Sequence, residues 1–185
     1  MARLEIQGGQ RLSGRVRAAG AKNSVIKLMA ASILFEAPIA LSNVPHLRDV
    51  QTMASLLEHM GANCVWNGSE GLSIAAGSLA ETQAPYHLVR TMRASFNVLG
   101  PLLARYGQAE VSLPGGCAIG TRPVDQHLAG LAALGASVTI ESGYVRASAE
   151  RGLSGTDFSF DFPSVGATEH LLMAAVLAKG QTRLS

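Results

Sequence analysis

A cysteine flanked by glycine, in the stretch SLPGGCAIGTRPVD over residues 112–125, has the surroundings that best suit chemistry. Structural cysteines usually pack among apolar neighbours, whereas the Gly-Gly pair before Cys117 predicts an exposed loop. Arg122 follows five residues later and precedes Pro123, a residue type favoured at the first position of a helix. A cation and a helix start lower the pKa of a nearby thiol, so Cys117 is predicted to be a reactive thiolate or a proton donor. A loop cysteine without a role is the alternative.

Three basic residues stand where helices are predicted to begin. They are Lys22, Arg93 and Arg122. A positive charge at the start of a helix is unfavourable by about 0.3–1 kcal/mol, because it faces the positive end of the helix dipole. A bound anion reverses that sign, since backbone N–H groups and a cation together form a phosphate or carboxylate site. Solvated surface residues are the alternative, and the repetition at corresponding positions favours the anion site.

The remaining candidate residues predict a structural cysteine and no metal site. Cys64 alternates with Val65 and Trp66 on a predicted strand, which predicts a buried structural cysteine. Neither cysteine belongs to a CxxC motif and the five histidines lack ligand spacing, so no metal and no cofactor are expected. His127 is predicted to be a surface or capping residue, with a supporting role to Cys117 left open.

Composition excludes several classes of protein. The chain has 185 residues, 48% of them hydrophobic, and a formal net charge of +2, without a basic cluster. A nucleic-acid partner is therefore not expected. The apolar runs are shorter than the roughly 20 residues that span a bilayer, so no membrane partner is expected. The start of the chain lacks the apolar block of a signal peptide, which predicts a cytoplasmic protein with unpaired cysteines. Small anions remain possible partners.

A module of helix, strand, helix and two strands recurs with a period of about 70 residues. The phrases LLEHMGANCVW and LAALGASVTIE occupy corresponding places in two copies, and a third copy ends within its first strand. The chain is thus expected to be a fragment of an α/β protein. Helices are predicted over residues 24–35, 47–62, 93–108 and 123–136, with strand pairs over 63–76 and 137–149. Alternation around Gly8-Gly9 predicts a hairpin over residues 1–20.

Three motifs closely resemble the UDP-N-acetylglucosamine enolpyruvyl transferases, the 1-carboxyvinyltransferases of peptidoglycan synthesis. They are GAKNS at 20–24, LVRTMRASFNVLGPLLARYGQAEVSLPGGCAIGTRPVD at 88–125 and SVGAT at 164–168. The resemblance implies an inside-out α/β barrel built from βαβαββ repeats, in one of two lobes. It assigns residues 21–185 to the first lobe, with repeats at about 21–90, 91–155 and, incomplete, 156–185. The hairpin at 1–20 would belong to a second lobe, which lies outside this chain.

The same resemblance implies transfer of the enolpyruvyl group of phosphoenolpyruvate to the 3′-hydroxyl of UDP-N-acetylglucosamine, with release of phosphate. Cys117 matches the general acid that protonates phosphoenolpyruvate. Lys22 and Asn23 match positions that hold phosphoenolpyruvate, and Arg122 would help to neutralise it. The positions that match the lining of the sugar-nucleotide site are Arg93, Arg122, Pro123, Val124, Asp125, Gln126, Phe162, Pro163, Ser164 and Val165.

Two positions depart from the family pattern, since many members have Trp where this chain has Asn97 and Lys where it has Phe162. The catalytic aspartate and further arginines of the family lie beyond Ser185, so the chain alone is expected to be inactive and to need the second lobe as its partner. Two alternatives stay open. One is the shikimate-pathway enolpyruvyl transferase, against which the cysteine loop argues, and the other is a non-catalytic fragment that binds sugar nucleotides.

Overall fold

A computed structural model describes residues 3–114 and 124–185 of the chain. The α-helices in these ranges are α1 (Lys22–Ala31), α2 (Arg48–His59), α3 (Tyr86–Val89), α4 (Leu99–Tyr106), α5 (Asp125–Ala133) and α6 (Val165–Ala175). Two 3₁₀ helices cover Ser32–Leu34 and Arg93–Val98. The strands are β1 (Ile39–Leu41), β2 (Asn63–Asn67), β3 (Gly71–Ala75), β4 (Gln83–Ala84), β5 (Gln108–Ser112), β6 (Ser137–Glu141), β7 (Tyr144–Ser148), β8 (Asp157–Phe158) and β9 (Arg183–Leu184).

The described strands form three separate sheets. The first has the order β1-β3-β2 and is antiparallel, with Ile74 opposite both Ile39 and Cys64. The second has the order β4-β5-β7-β6, in which β4 and β5 are parallel and Val111 lies opposite Val145. The third pairs β8 with β9 in parallel. The three sheets differ in strand number and order.

Helices pack against one another between these sheets and bury the largest apolar side chains. Helix α1 contacts α2 and the 3₁₀ helix over Arg93–Val98, while α6 contacts both α4 and α5. On α2 the buried residues Val50, Met53 and Leu57 follow the helical period, so one face of the helix joins the core. The helix positions that carry the candidate site are thus fixed by apolar packing.

The predicted strand pairs and most predicted helices are present. The 93–108 helix differs, because it is a 3₁₀ helix over Arg93–Val98 followed by α4. Pro101 lacks a backbone N–H and so fits within the first turn of an α-helix, which accounts for a new helix beginning at Leu99. Among the described residues, every helix is too short or too polar to cross a bilayer.

Two expectations are not met. Described residues 3–20 contain no strand, so the predicted hairpin over 1–20 is absent there. The side chains of Leu4, Leu12 and Val16 are exposed, and an isolated hairpin without an apolar surface to cover it is only marginally stable. The described strands also do not join into a closed barrel, because the sheets remain separate. The α/β class itself is confirmed.

Candidate functional site

A cleft of about 550 Å³ lies where α1, α5, α6 and the Arg93–Val98 helix meet. Its lining includes three cationic side chains, one carboxylate and several polar groups. The residues that line it are Lys22, Asn23, Ile26, Lys27, Asp49, Thr91, Met92, Arg93, Ala94, Phe96, Asn97, Val124, His127, Ser164, Val165 and Gly166.

The start of α1 contributes a lysine with a counterion. Lys22 is the first residue of α1, and its Nζ atom lies 2.7 Å from Oδ2 of Asp49 in the first turn of α2. Ala21 precedes the helix and supplies no capping side chain, so the first N–H groups of α1 lack a side-chain acceptor from the cap position. These donors and Lys22 lie at the same end of the helix, an arrangement that suits an anion.

The start of α6 forms a second wall of the cleft. The Ser164 hydroxyl caps the helix by accepting a hydrogen bond from the backbone N–H of Ala167 at 3.3 Å. The Thr168 hydroxyl donates to the Ser164 carbonyl at 2.9 Å and tightens the same turn. Because Ser164, Val165 and Gly166 all line the cleft, the positive end of the α6 dipole lies beside it.

A third wall comes from Arg93 and His127. Arg93 begins a 3₁₀ helix and is half-buried, while His127 on α5 is buried. Burial, and secondly the charge of Arg93, lower the pKa of His127 from its usual value to about 4. His127 is therefore neutral at pH 7.

Charge in the cleft is predominantly positive. Lys22, Lys27 and Arg93 line it together with one carboxylate, that of Asp49. Lys27 also forms an ion pair with a residue that does not line the cleft: its Nζ lies 2.6 Å from Oε2 of Glu169 on α6. Such an excess of cations beside two helix starts is chemically suited to a phosphate or carboxylate ligand.

The structure brings together six of the predicted substrate-binding residues in this cleft. These are Lys22, Asn23, Arg93, Val124, Ser164 and Val165. Three further predictions, Cys117, Arg122 and Pro123, lie outside the described residues. The anion site predicted from helix-start cations thus has two of its three members in one place, Lys22 and Arg93.

Four predicted residues do not line the cleft. Asp125 is exposed at the start of α5, Phe162 is exposed, and Pro163 faces a neighbouring groove. Gln126 is buried, and its amide accepts a hydrogen bond from Asp161 N–H at 2.9 Å and donates to the Phe162 carbonyl at 3.2 Å. Its side chain therefore joins α5 to the segment before α6.

The surface assignment predicted for His127 is wrong. Its ring is buried against Phe96, with an edge-to-face geometry and 5.6 Å between ring centroids, and its Nδ1 lies 3.0 Å from Nδ1 of His170. The apolar spacing of α5 contained a signal for this burial, because His127 lies four residues before the buried Leu131. Asp49 and Lys27 were also missed, since their roles depend on contacts between helices distant in sequence.

Cys64 lies on the predicted strand but is less buried than its strand pattern predicts. It lies on β2, is half-buried and packs against the core. Burial, with a smaller effect from Glu58, raises the pKa of its thiol to about 12. A thiol with so high a pKa is a poor nucleophile at pH 7. Across the described ranges, no group of three or more His, Cys, Asp or Glu side chains is arranged to hold a metal ion.

The fold is that of the enolpyruvyl transferases. The solved structure of the enolpyruvyl transferase NikO from Streptomyces tendae superposes with a TM-score of 0.77 at 24% identity, covering 96% of this chain and 41% of that one. EPSP synthase from Acinetobacter baumannii superposes with a TM-score of 0.71 at 16% identity, over 93% of this chain and 40% of that one. These structures are each more than twice as long as the matched region.

The chain belongs to the EPSP synthase (3-phosphoshikimate 1-carboxyvinyltransferase) family, whose pattern it matches over residues 6–185. Two curated relatives are both named UDP-N-acetylglucosamine 1-carboxyvinyltransferase. The one from Hyphomonas neptunium is 55% identical over 185 residues, and the one from Acinetobacter baylyi is 53% identical over 184. Both matches cover 100% of this chain but only 43% and 44% of the relatives. The resemblance drawn from the sequence motifs is confirmed.

Proposed function

We propose that this chain is the amino-terminal part of a UDP-N-acetylglucosamine 1-carboxyvinyltransferase, an enzyme of peptidoglycan synthesis. The observation that carries the proposal is the cleft in which the starts of α1 and α6 meet Lys22 and Arg93. Two helix starts and two guanidinium or ammonium groups are suited to a ligand with several anionic groups. Phosphoenolpyruvate and a sugar nucleotide both have this chemistry.

The choice of acceptor rests on the relatives. Proteins 53–55% identical over the whole chain are named for UDP-N-acetylglucosamine, whereas the EPSP synthase structures are only 16% identical. In the proposed reaction the sugar 3′-oxygen forms a bond to C2 of phosphoenolpyruvate while a proton adds to C3. Loss of phosphate from C2 and of a proton from C3 then restores the double bond.

The proposal gives distinct roles to residues of the cleft and of the cysteine loop. Lys22 and Asn23 would hold phosphoenolpyruvate, with Arg122 completing its charge neutralisation. Cys117 would be the general acid that protonates C3, and its thiol could also add covalently to C2. The sugar nucleotide would contact Arg93, Val124, Ser164 and Val165, and also Pro123, Asp125, Gln126, Phe162 and Pro163 on the adjoining segments.

The site as proposed is shared with a second lobe. That lobe would supply the aspartate that receives the hydroxyl proton and the arginines that complete the phosphoenolpyruvate clamp. It would also cover the exposed apolar residues of the 3–20 segment. The first lobe would then complete its third βαβαββ unit as an inside-out barrel in a cytoplasmic protein.

The experiment that tests this function measures phosphate release from phosphoenolpyruvate by the whole protein, in which this chain continues to the length of its relatives. Two acceptors are compared, UDP-N-acetylglucosamine and shikimate 3-phosphate. Phosphate release is expected with UDP-N-acetylglucosamine as the acceptor and not with shikimate 3-phosphate. Release with shikimate 3-phosphate alone would establish the EPSP synthase alternative, and sugar-nucleotide binding without release with either acceptor would establish a non-catalytic binder.

A further inference from the structure

Two buried imidazole rings meet between α5 and α6, beside the cleft. Nδ1 of His127 lies 3.0 Å from Nδ1 of His170, and the ring of His170 is completely buried. A hydrogen bond between two ring nitrogens contains one proton, so one ring must donate and the other must accept. The direction of this bond determines which nitrogen of His127 carries a proton.

The backbone of α4 sets that direction. The N–H of Gly100 donates to Nε2 of His170 over 2.7 Å, so Nε2 must be an unprotonated acceptor. A neutral ring with a free Nε2 carries its proton on Nδ1, and His170 therefore donates to His127. Nδ1 of His127 accepts this bond, which leaves Nε2 as the protonated nitrogen of a neutral His127 ring.

Burial keeps both rings neutral. It lowers the pKa of His170 well below the usual value, and the neighbouring His127 lowers it further. The charged group that faces His127 is Arg93, which also opposes protonation. Phe96 packs against both rings and contributes no proton donor or acceptor from its side chain.

Two glycines lie against these rings. A Cβ atom at Gly100 would lie 2.9 Å from Cδ2 and 3.0 Å from Nε2 of His170, so a larger residue would displace the ring. At Gly166, at the start of α6, a Cβ atom would lie at an ordinary contact distance of 3.8 Å from Nε2 of His127. Nε2 of His127 is therefore next to the start of α6, where both residues line the cleft.

We propose that His170 is a positioning residue that fixes the tautomer of His127, so that His127 presents its Nε2–H to an anionic oxygen of the ligand in the cleft. The ligand class, a phosphate or carboxylate, rests on the proposed function. His127 then acts as a neutral hydrogen-bond donor. It cannot act as a general base, because its cleft-facing nitrogen already carries a proton and its other nitrogen accepts from His170.

The first test measures the tautomers directly in the whole protein, in which this chain continues to the length of its relatives. Histidine is labelled with ¹⁵N, and long-range ¹H–¹⁵N correlations are recorded at pH 7, with resonances assigned by single substitutions. His170 is expected to be protonated at Nδ1 and His127 at Nε2. A proton on Nδ1 of His127, or an imidazolium form of either ring, would overturn the proposal.

A pair of variants separates tautomer control from a structural role. In His170→Asn the amide nitrogen occupies the place of Nδ1 and can still donate to His127, whereas His170→Leu has no donor. Both variants lose the acceptor for Gly100 N–H, so both are expected to be less stable than the wild type. Only His170→Leu is expected to change the His127 tautomer. An unchanged His127 tautomer in a folded His170→Leu variant would contradict the proposal. If this variant does not fold, the tautomers measured in the wild type decide whether the proposal holds.

Ligand binding is followed with inorganic phosphate as the probe. The His127 Nε2 resonance is expected to shift on titration, and the apparent affinity to fall about 2- to 10-fold in His170→Leu but not in His170→Asn. No response of His127 to phosphate would overturn the donor role. The proposed function is tested separately, because phosphate binding with the expected tautomer but no carboxyvinyl transfer by the whole protein would refute only the function.

Discussion

Lys22 at the start of α1 and Asp49 in the first turn of α2 form an ion pair of 2.7 Å that lies in the wall of the cleft. Their side chains are 46% and 34% exposed, so solvent screens the pair and its contribution to stability is about 0–1 kcal/mol. The same contact fixes the position of the Lys22 ammonium group in the wall of the cleft. Asp49 therefore orients Lys22 towards a ligand site more than it stabilises the fold.

Lys22→Ala in the whole protein is expected to raise the KM for phosphoenolpyruvate and to lower the rate. The lost charge-assisted hydrogen bond to phosphate corresponds to about 1.5–3 kcal/mol, while the midpoint of thermal unfolding is expected to change little. Steady-state kinetics and a thermal melt measure the two effects. Lys179→Ala is the matched control, because Lys179 is exposed and its Nζ donates to the Arg151 carbonyl at 3.0 Å, and it is not among the residues that line the cleft. Equal kinetics in wild type and Lys22→Ala would make Lys22 a surface residue.

Cys117 is expected to react with an epoxide phosphonate such as fosfomycin, which mimics phosphoenolpyruvate, while Cys64 is expected to remain unmodified. The thiol of Cys64 has a pKa raised to about 12 by burial, so it contains almost no thiolate at pH 7. Mass spectrometry of the digested whole protein identifies the labelled residue. Label on Cys64 would show that the nucleophile has been assigned to the wrong cysteine.

Substitution at Cys117 distinguishes an acid from an obligatory nucleophile. Cys117→Asp is expected to retain activity with a pH optimum moved to lower pH, because a carboxylic acid donates a proton with a lower pKa than a thiol. Cys117→Ala is expected to be far slower while still binding substrate. The pH dependence of kcat in the two variants is the measurement. Equal loss in both would mean that covalent capture is required.

The 185-residue chain alone is expected to release no phosphate from phosphoenolpyruvate above background with UDP-N-acetylglucosamine present. The general acid, the anion clamp and the proton acceptor must converge on one intermediate, and loss of one group costs orders of magnitude in rate. A phosphate-release assay at high chain concentration makes the measurement, with the whole protein as the positive control. Sustained turnover by the chain alone would show that the site is complete without a second lobe.

The stability of the fold is expected to fall as the pH is lowered from about 6.5 to 5. Burial lowers the pKa of His127 to about 4 and lowers the pKa of His170 well below its usual value, so both are neutral when folded. Unfolded histidines titrate near pH 6.5, so the unfolded state binds more protons in this window. Each ring then removes up to about 1.4 kcal/mol of unfolding free energy per pH unit.

Urea denaturation at pH 7.5, 6 and 5 measures this dependence. In His170→Asn the loss of unfolding free energy between pH 7.5 and 5 is expected to be smaller by the contribution of one histidine, because the amide does not titrate. The variant is nevertheless expected to be less stable than the wild type at pH 7.5. The wild type at the same three pH values is the control. Parallel pH dependences in the two proteins would mean that His170 is not the group responsible.

Local patterns were enough to predict the strand pairs and most of the helices. The period of α2 and the alternation of β3 report a single buried face, and the turn at Gly68, with φ of +64°, is encoded by the Asn-Gly pair. The prediction of a hairpin over residues 1–20 was wrong for a physical reason. Alternation predicts which face a strand would bury, but a strand forms only where a surface is present to receive that face.

The candidate site was predicted by two kinds of argument. The cations at helix starts indicated Lys22 and Arg93, the family resemblance indicated Ser164 and Val165, and all four line the cleft. The contacts of Asp49 with Lys22 and of His170 with His127 join residues 27 and 43 positions apart, and no local pattern reports them. A buried histidine and an exposed histidine look alike in sequence unless the facing helix is known.

The buried amide of Gln126 links α5 to the segment before α6, beside the cleft. By bonding to both Asp161 N–H and the Phe162 carbonyl, it pairs with that segment as the backbone of a neighbouring strand would. A movement of Val124 relative to Ser164 would break both hydrogen bonds. The buried Gln126 amide would then have no partner, which costs about 1–3 kcal/mol. The two bonds therefore hold the start of α5 and the segment before α6 at a fixed separation, which sets the width of this part of the cleft.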